Sequence, residues 1–172
     1  YGQKTISGND GPDITASANC SGKTPAIGVA DLGGLYSQKW SATYQQRVQD
    51  HINLLITHWN TTRGIVGLQF HWPNPLQSGG GFAASQIKLT TAQFNAIVTP
   101  GTPEFNAMIL DLDRHADYLG QLAALNIPVL WRPLHEIDAG WFWWNDGNNP
   151  ANTAELWRIV YDYLVTVRGF HN

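Results

Sequence analysis

Segments that read as strands alternate with segments that read as amphipathic helices along the chain, and this alternation constrains the fold before any motif is considered. Pro25-Ala26-Ile27-Gly28-Val29-Ala30-Asp31 is a continuous run of small and β-branched residues, the pattern of a strand covered on both faces. Gly64-Ile65-Val66-Gly67-Leu68-Gln69-Phe70 and Ile127-Pro128-Val129-Leu130-Trp131-Arg132-Pro133 repeat the pattern. Between them, Ser41 can cap a helix whose apolar stripe is Tyr44, Val48, Ile52, Leu55 and Ile56, at helical spacing. Thr102 followed by Pro103 starts another, with Phe105, Met108, Ile109, Leu112, Ala116 and Leu119 on one side, reaching Leu125. Asn152 with Glu155 resembles a capping box ahead of Leu156, Val160, Tyr163, Leu164 and Val167, and Gly169 stops that helix. Thr5-Ile6-Ser7-Gly8 offers an earlier short strand, Asn9 to Asp13 a turn, and Thr91 to Val98 a short helix. Such α/β alternation predicts a parallel sheet with right-handed crossovers.

The chain has 172 residues, which suits one domain over 1–172 with its own core. Charged residues make up 13%, against roughly 25% in an average soluble domain, and the net charge is −3, so a basic nucleic-acid binder is not expected. No apolar run approaches the ~18 residues of a membrane span, and no signal peptide opens the chain, which reads as a mature or trimmed product. Cys20 is the single cysteine, excluding an internal disulfide and a cysteine-based zinc site. The 8 Trp, 17 Gly and 9 Pro put aromatic surface on loops in place of a salt-bridged exterior, a composition suited to neutral polymers such as carbohydrate.

In parallel α/β folds, catalytic side chains collect at the C-terminal ends of strands. Here those ends supply Asp31, His71 and Glu136. Read as extended chain, Arg132-Pro133-Leu134-His135-Glu136 puts Arg132 and Glu136 on one side, with His135 as a buttress; a plain Arg132–Glu136 ion pair is the structural alternative. A carboxylate in a Trp-lined site near a second carboxylate is expected to hold its proton, as a general acid must. Gly140-Trp141-Phe142-Trp143-Trp144 sets four consecutive aromatics on a polar loop, a sugar-stacking platform in which Phe142 and at least one Trp plug the site's mouth. Asp31, His71, His135 and Glu136 are of metal-ligand type, but no HxxxH or HxH spacing accompanies them, so neither metal nor cofactor is expected.

Val129 through Glu136, followed by Gly140 through Trp144, closely resembles the acid/base strand of glycoside hydrolase family 26. That family comprises mainly endo-β-1,4-mannanases on a (β/α)8 TIM barrel, with some lichenases and β-1,3-xylanases. Gly8, Ala30-Asp31-Leu32-Gly33-Gly34 and Phe70-His71-Trp72 fall where the family has comparable features, so the resemblance spans nearly the whole chain. It implies that Glu136 is the general acid/base at the end of the fourth strand, that Arg132 supports the carboxylates, and that His135 holds the place before the acid. Substrate contacts are then expected from His71, Trp72, Trp141, Trp144 and Asp31. Ile137-Asp138 departs from the family pattern, which bears on fine specificity.

The family mechanism is retaining, with a nucleophilic Glu on the seventh strand. A barrel takes ~250 residues, so this chain is expected to supply the first four βα units, with the nucleophile beyond residue 172. Asp138 is the local alternative, while Asp31 and Asp10 read as polar support. The partner implied is a polysaccharide, β-mannan or a related β-glycan, met outside the cell by a secreted protein. Unpaired strand edges also invite self-association or pairing with the missing half. The alternative reading is a non-catalytic carbohydrate-binding protein, or a lichenase or β-1,3-xylanase of the same kind.

Overall fold

The computed structural model describes residues 2–3, 12–32 and 39–171. Four strands, β1 (Gly2–Gln3), β2 (Ile27–Asp31), β3 (Ile65–Gln69) and β4 (Val129–Arg132), form one parallel sheet in the order β1-β2-β3-β4. Between and after them run α1 (Pro12–Ser21), α2 (Ala42–Thr62), α3 (Gly81–Ser85), α4 (Thr91–Ile97), α5 (Pro103–Ala124) and α6 (Pro150–Asp162). The expected alternation is present, as the first part of a βα array.

The long helices begin where the sequence signals placed them. Ser41 accepts from the Tyr44 N–H and Thr102 from the Phe105 N–H, each satisfying one donor that helix geometry leaves open. Thr90 and Gln93 close a capping box on α4. Helix α2 buries Tyr44, Val48, Ile52, Leu55 and His58, and α5 buries Met108, Leu112, His115, Ala116, Leu119 and Leu122. Ile56 is only partly buried.

Several expectations need correction. Pro12 and Asp13, expected in a turn, open α1; its weak apolar stripe hides it from a periodicity search, although Pro suits a first helical position. Among the described residues the first strand is Gly2–Gln3; the expected strand at Thr5 to Gly8, with Asp10, Gly33 and Gly34, lies outside the described residues. Asn152 caps nothing, because α6 starts two residues earlier at Pro150, and its amide reaches Asn95 Oδ1 at 2.8 Å and Asp146 Oδ2 at 3.0 Å. Val167 is 68% exposed, since the chain widens into a π-turn over Tyr163–Val167 that breaks the helical register before Gly169 (φ +70°).

The register explains how the sheet presents polar groups. Pairings Gly28↔Val66, Ala30↔Leu68, Val66↔Val129 and Leu68↔Trp131 define one face. There Ala30, Val66 and Leu68 are fully buried, and an added Cβ on Gly28 would meet the α2 residue His58 at 2.9 Å, so this face lies under the helices. The opposite face pairs Val29↔Gly67↔Leu130 and then Asp31↔Gln69↔Arg132. Side chains alternate along strands, so a single rung of Asp31, Gln69 and Arg132 closes the C-terminal edge of that face.

A polar network also stitches α5 to the segment before α2. Asp111 accepts from Lys39 Nζ at 2.9 Å and from Trp40 Nε1 at 2.8 Å, while Lys39 Nζ donates to the carbonyls of Asn74 and Pro75. The Tyr44 hydroxyl donates to Leu32 O at 2.9 Å and lies 3.2 Å from His115 Nε2. Burial, followed by the nearby Asp111 charge, raises Tyr44 well above the ordinary phenol value.

Candidate active site

The site grows from the Asp31–Gln69–Arg132 rung. Asp31 Oδ2 accepts from Gln69 Nε2 at 3.1 Å, and its Oδ1 from the His71 backbone N–H at 3.1 Å. Asp31 also binds His71 Nδ1 in a short contact, and His71 Nε2 lies 3.1 Å from His135 Nε2. A carboxylate, an imidazole and a second imidazole therefore form one chain linking the ends of β2, β3 and β4. Because Asp31 only accepts, His71 Nδ1 carries a hydrogen towards it.

Aromatic rings wall in the two imidazoles. Phe142 stands 5.5 Å from His71 and 5.3 Å from His135, centroid to centroid, and Trp144 stands 5.5 Å from His135. Burial among these rings, followed by the neighbouring His71, pushes His135 down to about 4. His135 is thus neutral near pH 7, a hydrogen-bonding group and not a second cation.

Glu136 sits differently from the extended-chain expectation. Strand β4 ends at Arg132, Pro133-Leu134 turns, and Glu136 adopts φ +53°, so residues 132 to 136 do not alternate as a strand. A left-handed residue with a long side chain is uncommon and costs of order 1–3 kcal/mol, which the surrounding contacts offset. They are specific: Trp141 Nε1 donates to Glu136 Oε2 at 2.9 Å, and Asn145 Nδ2 donates to Ile137 O at 2.5 Å. Glu136 stays exposed. Arg132 does not pair with Glu136; it reaches Gln69 Oε1 at 3.5 Å and so supports Asp31 only through Gln69.

The aromatic loop divides into one exposed ring and three buried ones. Trp141 is 52% exposed, whereas Phe142, Trp143 and Trp144 are at most 1% exposed. Trp143 Nε1 donates to Trp72 O at 2.8 Å, and Trp144 Nε1 to His135 O at 3.1 Å. Trp72 is fully buried and stacks on Phe70. Trp72 and Trp144, which the sequence named as substrate contacts, are both fully buried among neighbouring side chains here. Asp31, His71 and His135 form one contact chain, with Asp31 and His71 themselves buried, and Glu136, next to His135 in sequence, meets Trp141.

Three contributors escaped the sequence reading. Gln69 joins Asp31 to Arg132, and its signal was the one polar residue closing an otherwise apolar strand. Phe82 on α3, 40% exposed, sets its ring edge-on to His71 at 5.2 Å. Asn145 holds the backbone beside Glu136 across a turn that no local motif announces. Among the described residues, no group of three or more His, Cys, Asp and Glu side chains is arranged to hold a metal ion, and no helix is long and apolar enough to cross a membrane.

The sequence profile described as Glycosyl hydrolase family 26 matches residues 1–172. The chain belongs to glycosyl hydrolase family 26. Family relatives include mannan endo-1,4-beta-mannosidase B of Piromyces sp, 35% identical over 183 residues that cover 100% of this chain and 31% of that protein. A mannan endo-1,4-beta-mannosidase of Bacillus subtilis is 30% identical over 166 residues, covering 90% of this chain and 43% of its own. Among solved structures, GH26A from Muricauda sp. MAR_2010_75 superposes with TM-score 0.82 at 26% identity, covering 96% of this chain and 52% of that one. The beta-mannanase from a symbiotic protist of the termite Reticulitermes speratus, complexed with gluco-manno-oligosaccharide, gives TM-score 0.78 at 26% identity, with coverage of 97% and 52%. The chain thus spans about a third of the length of the first of these relatives and about half the length of these structures.

Proposed function

We propose that this chain supplies the acid/base half of a retaining endo-β-1,4-mannanase built on a (β/α)8 barrel. The observation that carries the reading is the Glu136 carboxylate, exposed at the end of β4, held by Trp141 Nε1 and seated beside the Asp31–His71–His135 chain. The mannanase names of the family relatives support the substrate class.

In the first step Glu136 gives its proton to the glycosidic oxygen as the bond to the anomeric carbon breaks. A second carboxylate, from a Glu beyond residue 172 and about 5–5.5 Å from the first, attacks that carbon to give a glycosyl-enzyme. Glu136, now ionised, takes a proton from water, whose oxygen displaces the nucleophile and releases the sugar with retained configuration. Trp141 packs its exposed ring against a sugar beside the scissile bond, while Asp31 and His71 fix polar groups for the sugar hydroxyls. Neutral His135 adds no positive charge next to the acid. A polymeric substrate places the reaction outside the cell.

The test is Glu136→Ala in the full-length protein. Mannan turnover should fall by about 10²–10⁴-fold, with mannohexaose binding still measurable by calorimetry. Unchanged hydrolysis rejects the assignment. Binding without any turnover by the wild-type protein would favour a carbohydrate-binding role, and faster cleavage of mixed-linkage glucan or β-1,3-xylan would move the substrate assignment.

A further inference from the structure

Lys88 lies between α3 and α4, in the long connection that follows β3, far in sequence from Glu136. Its side chain reaches from the α3–α4 connection to the loop after β4. There Nζ donates to Phe142 O at 2.6 Å and to Asn145 O at 3.0 Å. Those two carbonyls bracket a tight turn, closed by the Asn145 N–H to Phe142 O at 3.1 Å and by the Phe142 N–H to Asn145 Oδ1 at 3.0 Å. An ammonium has three donors and no acceptor, so one group satisfies both outward carbonyls of the turn.

The turn touches the acid/base at both ends. Trp141, immediately before it, donates to the Glu136 carboxylate, and Asn145, which ends it, donates to the carbonyl of Ile137 next to Glu136. Glu136 is the residue held at φ +53°, a backbone state that relaxes unless neighbours over-determine it. Partial burial lowers Lys88 from the ordinary amine value, opposed by the Asp146 charge, while the residue as a whole stays exposed. Further anchors of the loop, among them Trp143 N–H to Ser85 O at 2.9 Å, Trp143 Nε1 to Trp72 O and Trp144 Nε1 to His135 O, are neutral.

We propose that Lys88 is a positioning residue for the reaction: by clamping the Phe142–Asn145 turn, it fixes Trp141 and the backbone beside Glu136, and so aims the acid/base carboxylate. The inference rests on Glu136 being the acid/base. Lys88 touches no reacting atom.

The experiment is a kinetic double-mutant cycle on mannohexaose in the full-length protein, using Lys88→Met, Trp141→Phe and their combination, with Lys88→Arg and Glu136→Ala as comparators. Lys88→Met should lower kcat about threefold to tenfold and change KM less than kcat, since the carboxylate is misaimed while the sugar contacts other than that of Trp141 remain. Lys88→Arg, whose guanidinium can still donate to two carbonyls, should recover most of kcat. The double variant should lose less than the product of the single effects, because both act through the same carboxylate. A Lys88→Met kcat within about twofold of wild type, a change confined to KM, independent effects in the cycle, or no recovery in Lys88→Arg each overturns the proposal. If Lys88→Met yields no folded protein, Lys88→Gln, which keeps one donor pair, takes its place; failure of both to fold assigns Lys88 to folding and also overturns it. Loss of turnover in Glu136→Ala with normal Lys88→Met kinetics would leave the acid/base assignment standing and the clamp rejected. Retained turnover in Glu136→Ala would instead remove the assignment on which the clamp rests.

Discussion

Acidification from about pH 8 to about pH 5 should remove about 2 kcal/mol of folding stability through His115 alone. The imidazole is 1% exposed, wedged against Phe70 and Trp40 at centroid distances of 3.7 and 4.8 Å. Its Nδ1 faces Asp111 O at 2.7 Å, a carbonyl that only accepts, so Nδ1 carries a hydrogen. Burial, followed in order by the Lys39 and Arg114 charges acting against the Asp111 carbonyl, pushes His115 down to about 3. In the unfolded chain it titrates near ~6.5. Between these values the unfolded state binds a proton that the folded state refuses. Stability is therefore fully present above the unfolded value, falls as pH drops below it, and levels off below the folded value. At about pH 5 the linkage amounts to RT times the logarithm of a roughly thirtyfold difference in proton binding, or about 2 kcal/mol. For a domain of this size that lowers Tm by about 4–8 °C. The assay is calorimetric unfolding at both pH values for wild type and His115→Gln, so that carboxylates common to both cancel. The variant should start less stable and show a pH slope flatter by about 2 kcal/mol. Equal slopes, or an NMR titration of His115 near the ordinary imidazole value, would refute the argument.

Gly64→Ala would place a methyl 2.4 Å from His58 Nε2 and 2.6 Å from the Ala26 carbonyl, a backbone atom that cannot swing away; a loss of about 1–3 kcal/mol is expected, and a melting temperature equal to wild type would contradict it. Trp141→Phe keeps an aromatic ring but removes the Nε1 donor to Glu136. Charge-assisted hydrogen bonds contribute about 1.5–3 kcal/mol, and solvent at this half-exposed loop favours the low end, so kcat on mannohexaose should fall about tenfold with binding little changed. An unaltered kcat would show that the indole nitrogen does nothing for the acid.

Local rules made much of this chain legible. Ser41 and Thr102 announced their helices because a cap is a short-range event; β2 and β3 were visible because strands buried under helices need unbroken apolar runs, and β4 carries such a run although it is half-exposed here. Strand ends then pointed to Asp31, His71 and Glu136. Reading residues 132 to 136 as extended failed because a turn at Pro133-Leu134 and a left-handed Glu136 reset the alternation. The sequence also placed Phe142 and at least one Trp of the aromatic loop inside, but only packing decides that Trp141 faces out while Phe142, Trp143 and Trp144 are buried. Lys88, Asn145 and Phe82 carried no motif at all. Their roles come from contacts across tens of residues, which periodicity and capping rules do not reach.

Strands adjacent in sequence are adjacent in the sheet, yet the excursions between them differ in length. Residues 32–64, 33 in all, join β2 to β3, whereas residues 70–128, 59 in all, join β3 to β4. Closing the longer excursion costs only about 0.5 kcal/mol more chain entropy, because the penalty grows with the logarithm of length. The extra span carries Phe82 and Lys88, both at the mouth. Elaboration at the rim is therefore thermodynamically cheap, and segments there can lengthen or shorten to admit a different polymer while the Asp31, Gln69 and Arg132 rung keeps its register.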